Sequence, residues 1–237
     1  MTFVDRWANL NNVTIHYLES VNYNENLTPL VYVPGALNYA EQSIELLNHF
    51  IPRRCISMSL RGRGNSAAPT DGYSFNDHVQ DINNVVLHSQ LNDYCLMAYS
   101  MGVPYAIKFA TTHTNIKAMI LCDYPPTYPL IPESWVNHVV EHGLISKEKK
   151  YVVEEIQKQS GQINLLDELS TIKIPVLLIK GGTEQSLLHT DEVDKYRHHL
   201  SNVTITEIAN VGHNSFDSKT KETFKVIQQF LEQIDVR

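Results

Sequence analysis

Three side chains with complementary roles in proton transfer stand far apart in the 237-residue chain: Ser100, Glu184 and His213. Each lies just after a stretch that reads as a strand, Ser100 after the apolar run Tyr94 to Ala98, Glu184 after Pro175 to Lys180 and His213 after Val203 to Ile208. A serine hydroxyl is a poor nucleophile until a base takes its proton during attack, and neutral imidazole, with a pKa of about 6.5, can do so near neutrality. A carboxylate behind the imidazole selects its tautomer and stabilises the imidazolium. Ser100 is then the nucleophile, His213 the base and Glu184 the orienting acid. The chemistry such a set would carry is acyl transfer to water through a covalent intermediate.

The local setting of Ser100 fits that role. The strand ending at Ala98 meets the serine, and Met101 to Ala110 then spaces its apolar residues as a helix does. So sharp a strand-to-helix turn strains the serine backbone by about 1–3 kcal/mol, which is tolerated where a reactive side chain must project. Ala98 and Gly102, two residues before and after, are small enough for strand and helix to approach closely.

The remaining chain alternates in the same way. Phe3–Asn9 and Val13–Glu19, around Asn11-Asn12, read as a hairpin. Pro29 to Val33, Arg54 to Leu60 and Ile116 to Cys122 read as further strands, with helices from Asn38 to Phe50 and from Ser74 to about Gln90 between them. The stretch 124–172 breaks the rhythm. It opens on Pro125, Pro126, Pro129 and Pro132, continues with helical pattern around Trp135 and Tyr151 to Gln159, and holds no strand of the main type. A helix from Asp191 to Leu200, the strand Val203 to Ile208 and a closing helix from about Phe216 to Ile234 complete the chain. Alternation of this kind predicts an α/β fold, a doubly wound, mostly parallel sheet with its ligand site beyond the carboxyl ends of the strands.

Ala98-Tyr99-Ser100-Met101-Gly102 resembles the G-x-S-x-G nucleophile elbow of the α/β-hydrolase superfamily, with alanine for the first glycine. The resemblance runs from Pro34-Gly35 through the loop Arg61-Gly62-Arg63-Gly64-Asn65-Ser66 to Gly212-His213, in the family's chain order of serine, acid and histidine. It implies one α/β-hydrolase domain over residues 1–237, with a small helical cap at about 124–172 whose Trp135, Val136 and Val139 face inward. It also implies backbone N–H donors for an oxyanion at Ala36 and Met101. A minority of the family carries the acid after the strand that follows the elbow helix, which makes Asp123 the rival to Glu184. The activity implied is hydrolysis of a small carboxylic ester, thioester or lactone. Some relatives use the same three groups for C–C bond hydrolysis or elimination, and others keep the fold as silent ligand binders.

Composition narrows the partners. A formal net charge of -7 argues against nucleic acid or an anionic membrane surface, both of which need a basic face. The first residues, Met1 to Trp7, show no targeting pattern and no apolar run is long enough to span a bilayer, so a cytoplasmic location is expected. The partner expected is a small-molecule acyl substrate, with no metal or organic cofactor; the oligomeric state is not fixed by the sequence. Cys55, Cys95 and Cys122 fall inside strands and read as buried free thiols. His138 and His142 have helical spacing but lack a third ligand and read as solvated or packed. Gly62 to Ala67 formally fits a dinucleotide fingerprint, yet the Pro69-Thr70-Asp71-Gly72 that follows would break the helix such a site requires. The same residues resemble the R-G-x-G-x-S loop of α/β-hydrolases, which implies that Arg61 and Ser66 tie down the loop, and Arg63 is expected in solvent.

Overall fold

The sheet grows outward from β5 (Tyr94–Tyr99), whose six residues are all buried. In the computed structural model, which describes residues 2–10, 12–213 and 221–236, β5 is flanked by β3 (Leu30–Val33) and β6 (Ile116–Cys122), both parallel to it. Beyond β3 lie β4 (Cys55–Met58) and then the antiparallel hairpin of β2 (Val13–Ser20) and β1 (Phe3–Leu10). Beyond β6 lie β9 (Val176–Gly181) and β10 (Val203–Ile208), again parallel. The spatial order β1-β2-β4-β3-β5-β6-β9-β10 makes one mixed, mostly parallel sheet, as the alternation predicts.

Successive strand residues point to opposite faces, and the two faces bury different partners. From β5 and β6, Leu96, Ala98, Met119 and Leu121 meet α2 (Phe75–His88) and α3 (Gly102–Ala110), with Tyr196 of α7 (Thr190–His199) in the same core. Their neighbours Cys95, Met97, Ile120 and Cys122 pack with α1 (Ile44–Asn48) and α8 (Lys221–Asp235). The helix expected over Asn38 to Phe50 is thus shorter, with a 3-10 turn, Ala40–Ser43, ahead of α1. Ser74 caps α2 as read: its hydroxyl accepts from the Asp77 N–H, and the Asp77 carboxylate accepts from the Ser74 N–H at 2.9 Å. The start of the closing helix at Phe216 lies outside the described residues.

Residues 124–172 contain α4 (Glu133–Glu141), α5 (Lys150–Lys158), α6 (Leu166–Thr171) and a small antiparallel pair, β7 (Thr127–Tyr128) with β8 (Ile163–Asn164). Val136, Val139 and Val153 form a separate apolar cluster against Trp135 and Leu37, so the inward face of α4 is the expected one. His138 and His142 are exposed with their rings 4.1 Å apart. The three cysteines are free and buried, and burial pushes the thiols of Cys55 and Cys95 up to about 12. No helix among the described residues is long and apolar enough to cross a membrane.

One ion pair fastens the last helix to the sheet. Arg53, 2% exposed, donates to both carboxylate oxygens of Asp235 at 2.8 and 2.6 Å and also to the Thr28 carbonyl. Burial alone would raise the Asp235 carboxyl, but bonds from Arg53 and the Thr28 N–H hold it below the usual range. Removing one partner leaves a buried charge uncompensated, so Asp235→Ala should lower unfolding stability by about 3–5 kcal/mol in urea titration. The carboxyl is more acidic folded than unfolded. Its contribution is therefore complete above the unfolded pKa of about 3.9 and declines as pH falls through the lower folded value, and the variant should lack this part of the acid dependence.

Candidate active site

The end of the sheet is a staircase of ladder bonds. The Ser100 N–H donates to the Cys122 carbonyl at 3.1 Å, the Asp123 N–H to Ile179 at 2.8 Å and the Gly182 N–H to Ile208 at 2.9 Å. Pairing of Tyr99 with Cys122, and of Cys122 with Ile179, thus sets Ser100 and Asp123 side by side, one residue past their strands. Both leave the sheet through left-handed backbone, φ 53° at Ser100 and φ 51° at Asp123. That conformation strains a residue with a Cβ and occurs where the surrounding structure enforces it. Gly102 lets the elbow close: a Cβ there would stand 2.6 Å from the Pro34 carbonyl oxygen and 2.7 Å from that of Val33.

His213 arrives from the turn after β10. Its Nε2 lies 2.8 Å from Ser100 Oγ and its Nδ1 2.9 Å from Asp123 Oδ2. An ionised carboxylate only accepts, so Nδ1 carries the proton and Nε2 offers its lone pair to the serine hydroxyl. Tyr99 steadies the histidine twice, stacking on the imidazole with centroids 5.0 Å apart and donating its hydroxyl to the His213 carbonyl at 2.7 Å. Asp123 is fully buried, and besides His213 it accepts from the Gly181 N–H at 2.9 Å, the Leu187 N–H at 3.2 Å and the Ser186 hydroxyl. Burial pushes its carboxyl up, but these hydrogen bonds, His213's foremost, outweigh burial and hold it below the usual carboxylate range.

Glu184 does not join this group, which corrects its expected place behind the histidine. Its side chain is exposed, and the turn after β9 sends the Ser186 hydroxyl and the Leu187 N–H inward instead. Those groups are donors that suit a carboxylate already present. A second acid there would face Asp123 at close range, and like charges cannot both ionise cheaply in a buried site. Ser186 and Tyr99 were not singled out by sequence; a serine two residues past Glu184 and a tyrosine before the nucleophile carry no motif of their own.

Two clefts meet at Ser100. One, of about 310 Å³, is lined by Met101, Tyr124, Pro129, Ile131, Pro132, Trp135 and Leu187 together with Ala36, Ser100 and His213. The other, of about 330 Å³, shares Ala36, Ser100, Trp135 and His213 and adds the polar side chains of Asn38, Tyr39 and Gln42. Neither the Ala36 nor the Met101 N–H has a protein acceptor among the described residues, so both remain free to donate beside the serine. A further cavity of about 360 Å³ lies at the amino ends of the parallel strands, where Arg54 and Lys117 line it; it holds neither serine nor histidine.

The loop after β4 is an anchor and not a phosphate cradle. Arg61 donates through Nε to both oxygens of buried Asp81, each at 3.0 Å, and Ser66 donates to the Ser59 carbonyl at 2.5 Å. No helix begins within its glycines; the next starts at Phe75. Arg63, expected in solvent, is 4% exposed, because the carbonyls of Ala36 and Arg61 and the ring of His78 accept its donors from inside the fold.

The family model described as alpha/beta hydrolase fold matches residues 28–143. The chain has the α/β-hydrolase fold. Over 85% of its length it is 22% identical to the AB hydrolase superfamily protein YisY of Bacillus subtilis (strain 168), covering 91% of that protein. Among solved structures it is similar to a carboxylesterase of the thaumarchaeon Nitrososphaera gargenis (TM-score 0.81, 15% identity, 97% of this chain and 98% of that one). It is equally similar to a haloalkane dehalogenase loop variant from Bradyrhizobium elkanii (TM-score 0.80, 13% identity, 100% and 99%). Relatives of such different chemistry mean that the reaction must be argued from the site and not from the fold.

The two carboxylates give opposite expectations. Asp123→Asn should lower kcat for an activated ester by about 10⁴-fold by favouring the wrong imidazole tautomer. Glu184→Gln should change it by no more than about twofold, as for an exposed position away from the chemistry. Steady-state rates of the two purified variants check both.

Proposed function

We propose that this protein is a serine hydrolase that cleaves a small carboxylic ester, thioester or lactone through an acyl-enzyme. The observation that carries this reading is the unbroken hydrogen-bonded line from Ser100 Oγ through His213 to Asp123. His213 takes the serine proton as Oγ attacks the carbonyl carbon, then delivers it to the departing alcohol or thiol. Water repeats the cycle against the acyl-enzyme. Asp123 stays ionised and stabilises the imidazolium formed in each half. The N–H groups of Ala36 and Met101 receive the oxyanion, the kind of interaction whose loss costs about 2.7–4 kcal/mol per donor.

The clefts support a neutral substrate. Apart from His213, no ionisable acid or base of the Asp, Glu, Lys or Arg type lines either of them among the described residues. The 310 Å³ cleft, walled by Ile131, Trp135 and Leu187, suits an apolar group, and the cleft bordered by Asn38 and Gln42 suits a hydrogen-bonding one. The segment 124–172 acts in this reading as a cap, since Tyr124, Pro129, Ile131, Pro132 and Trp135 all come from it.

Purified protein should hydrolyse p-nitrophenyl butyrate and take up a fluorophosphonate label. Ser100→Ala should lose about 10⁴-fold or more in kcat and lose the label. Turnover that survives this substitution, or labelling elsewhere, rules the mechanism out. A hemisuccinate ester of the same alcohol, which carries a negative charge on its acyl group, should be a far poorer substrate than the butyrate.

A further inference from the structure

Arg63 occupies a position that a loop anchor does not require. Its Nε donates to the Ala36 carbonyl at 2.8 Å, and its Nη1 donates to the Arg61 carbonyl at 2.7 Å and faces His78 Nε2 at 2.8 Å. The state of His78 follows from its other nitrogen. Nδ1 lies 2.8 Å from the Ser74 carbonyl, which can only accept, so the ring proton sits there and Nε2 accepts from the guanidinium. Burial first, and the neighbouring Arg63 second, push the His78 pKa well down, so the ring is neutral. It is clamped from one side by Tyr105, stacked at 5.0 Å and 7°.

The guanidinium has no carboxylate of its own. Asp81 is bonded to Arg61 through the Arg61 backbone N–H, Nε and Nη2. Nη2 of Arg63 is buried without a hydrogen-bond partner among the described residues. Arginine keeps its proton even there. A neutral donor would hold a carbonyl without the penalty of an unpaired buried charge, so the charge itself calls for a cause.

We propose that Arg63 is a positioning residue for the oxyanion-binding loop, pinning the Ala36 carbonyl so that the adjoining Ala36 N–H keeps its aim, and holding a fixed positive charge one hydrogen-bonded carbonyl away from that N–H. The proposal rests on the hydrolase reading above. An anchored carbonyl stops the peptide plane after Ala36 from rotating, and the N–H one step earlier is thereby held at the serine. A cation in a water-excluded setting also acts on negative charge that appears only in the tetrahedral intermediate, and so favours kcat over ground-state binding. His78 orients Arg63 from α2, which itself is capped at Ser74 next to the carbonyl that fixes the His78 tautomer.

The test compares wild type with Arg63→Met and Arg63→Lys on p-nitrophenyl butyrate, rates being normalised to sites titrated to completion with fluorophosphonate, alongside thermal melting. Arg63→Met should lower kcat per titrated site by about 10- to 100-fold with KM within about twofold. Arg63→Lys, which keeps a charge and one donor, should recover part of the loss. Unchanged kcat per site in Arg63→Met, a loss confined to KM, or a fall in Tm with kcat intact would each overturn the proposal. Should Arg63→Met not fold, Arg63→Lys decides alone: reduced kcat at constant KM supports it, and wild-type kcat overturns it. A wild-type protein that neither turns over ester nor takes the label would instead defeat the hydrolase reading, which the variant ratios do not address.

Discussion

Everything at this site depends on the register of one parallel ladder. Because β5, β6, β9 and β10 are joined in register by backbone hydrogen bonds, the residues that follow them emerge at matching heights. A slip of one residue between β5 and β6 would send side chains to the opposite face and separate Ser100 from Asp123. The register is held by burial on both sides, with Leu96 and Ala98 against one helical layer and Cys95 and Met97 against the other. The strain at Ser100 and Asp123 is sustained by that framework and not by local contacts alone.

The electrostatics follow from the same arrangement. A carboxylate with no exposure would ordinarily gain a proton, but Asp123 sits where the turn after β9 presents two backbone donors and a hydroxyl. Gly181 permits that approach, since a Cβ there would lie 2.7 Å from the Val211 carbonyl oxygen. The acid therefore stays charged beside the imidazole, and the tautomer of His213 is set by what surrounds Asp123 as much as by Asp123 itself.

Most of the fold was legible because strands buried on both faces are continuous apolar runs with recognisable limits, as at Tyr94 to Ala98 and Ile116 to Cys122. Ser100 could be picked out because it follows such a run, and His213 because it follows the alternating edge strand Val203–Ile208. The acid was harder. Glu184 and Asp123 both follow strands, and choosing between them depends on the direction of a turn, which residue types at 181–187 do not encode. Arg63 failed for a related reason: a charged residue between two glycines reads as solvated unless the acceptors from Ala36 and His78, distant in sequence, are known. The short 3-10 turn ahead of α1 shows the limit of periodicity, which marks an apolar face without fixing the pitch of the backbone beneath it.

Nucleophile and acid belong to neighbouring strands separated by a single helix, whereas the donors around the acid come from the far side of the 124–172 segment and the histidine from later still. A nascent chain that has emerged only as far as β6 already carries the serine and the carboxylate, but it lacks the groups that keep the carboxylate ionised and the ring that draws on it. The full set of groups around Ser100 is thus present only once the chain has passed His213, well after its central strands are made.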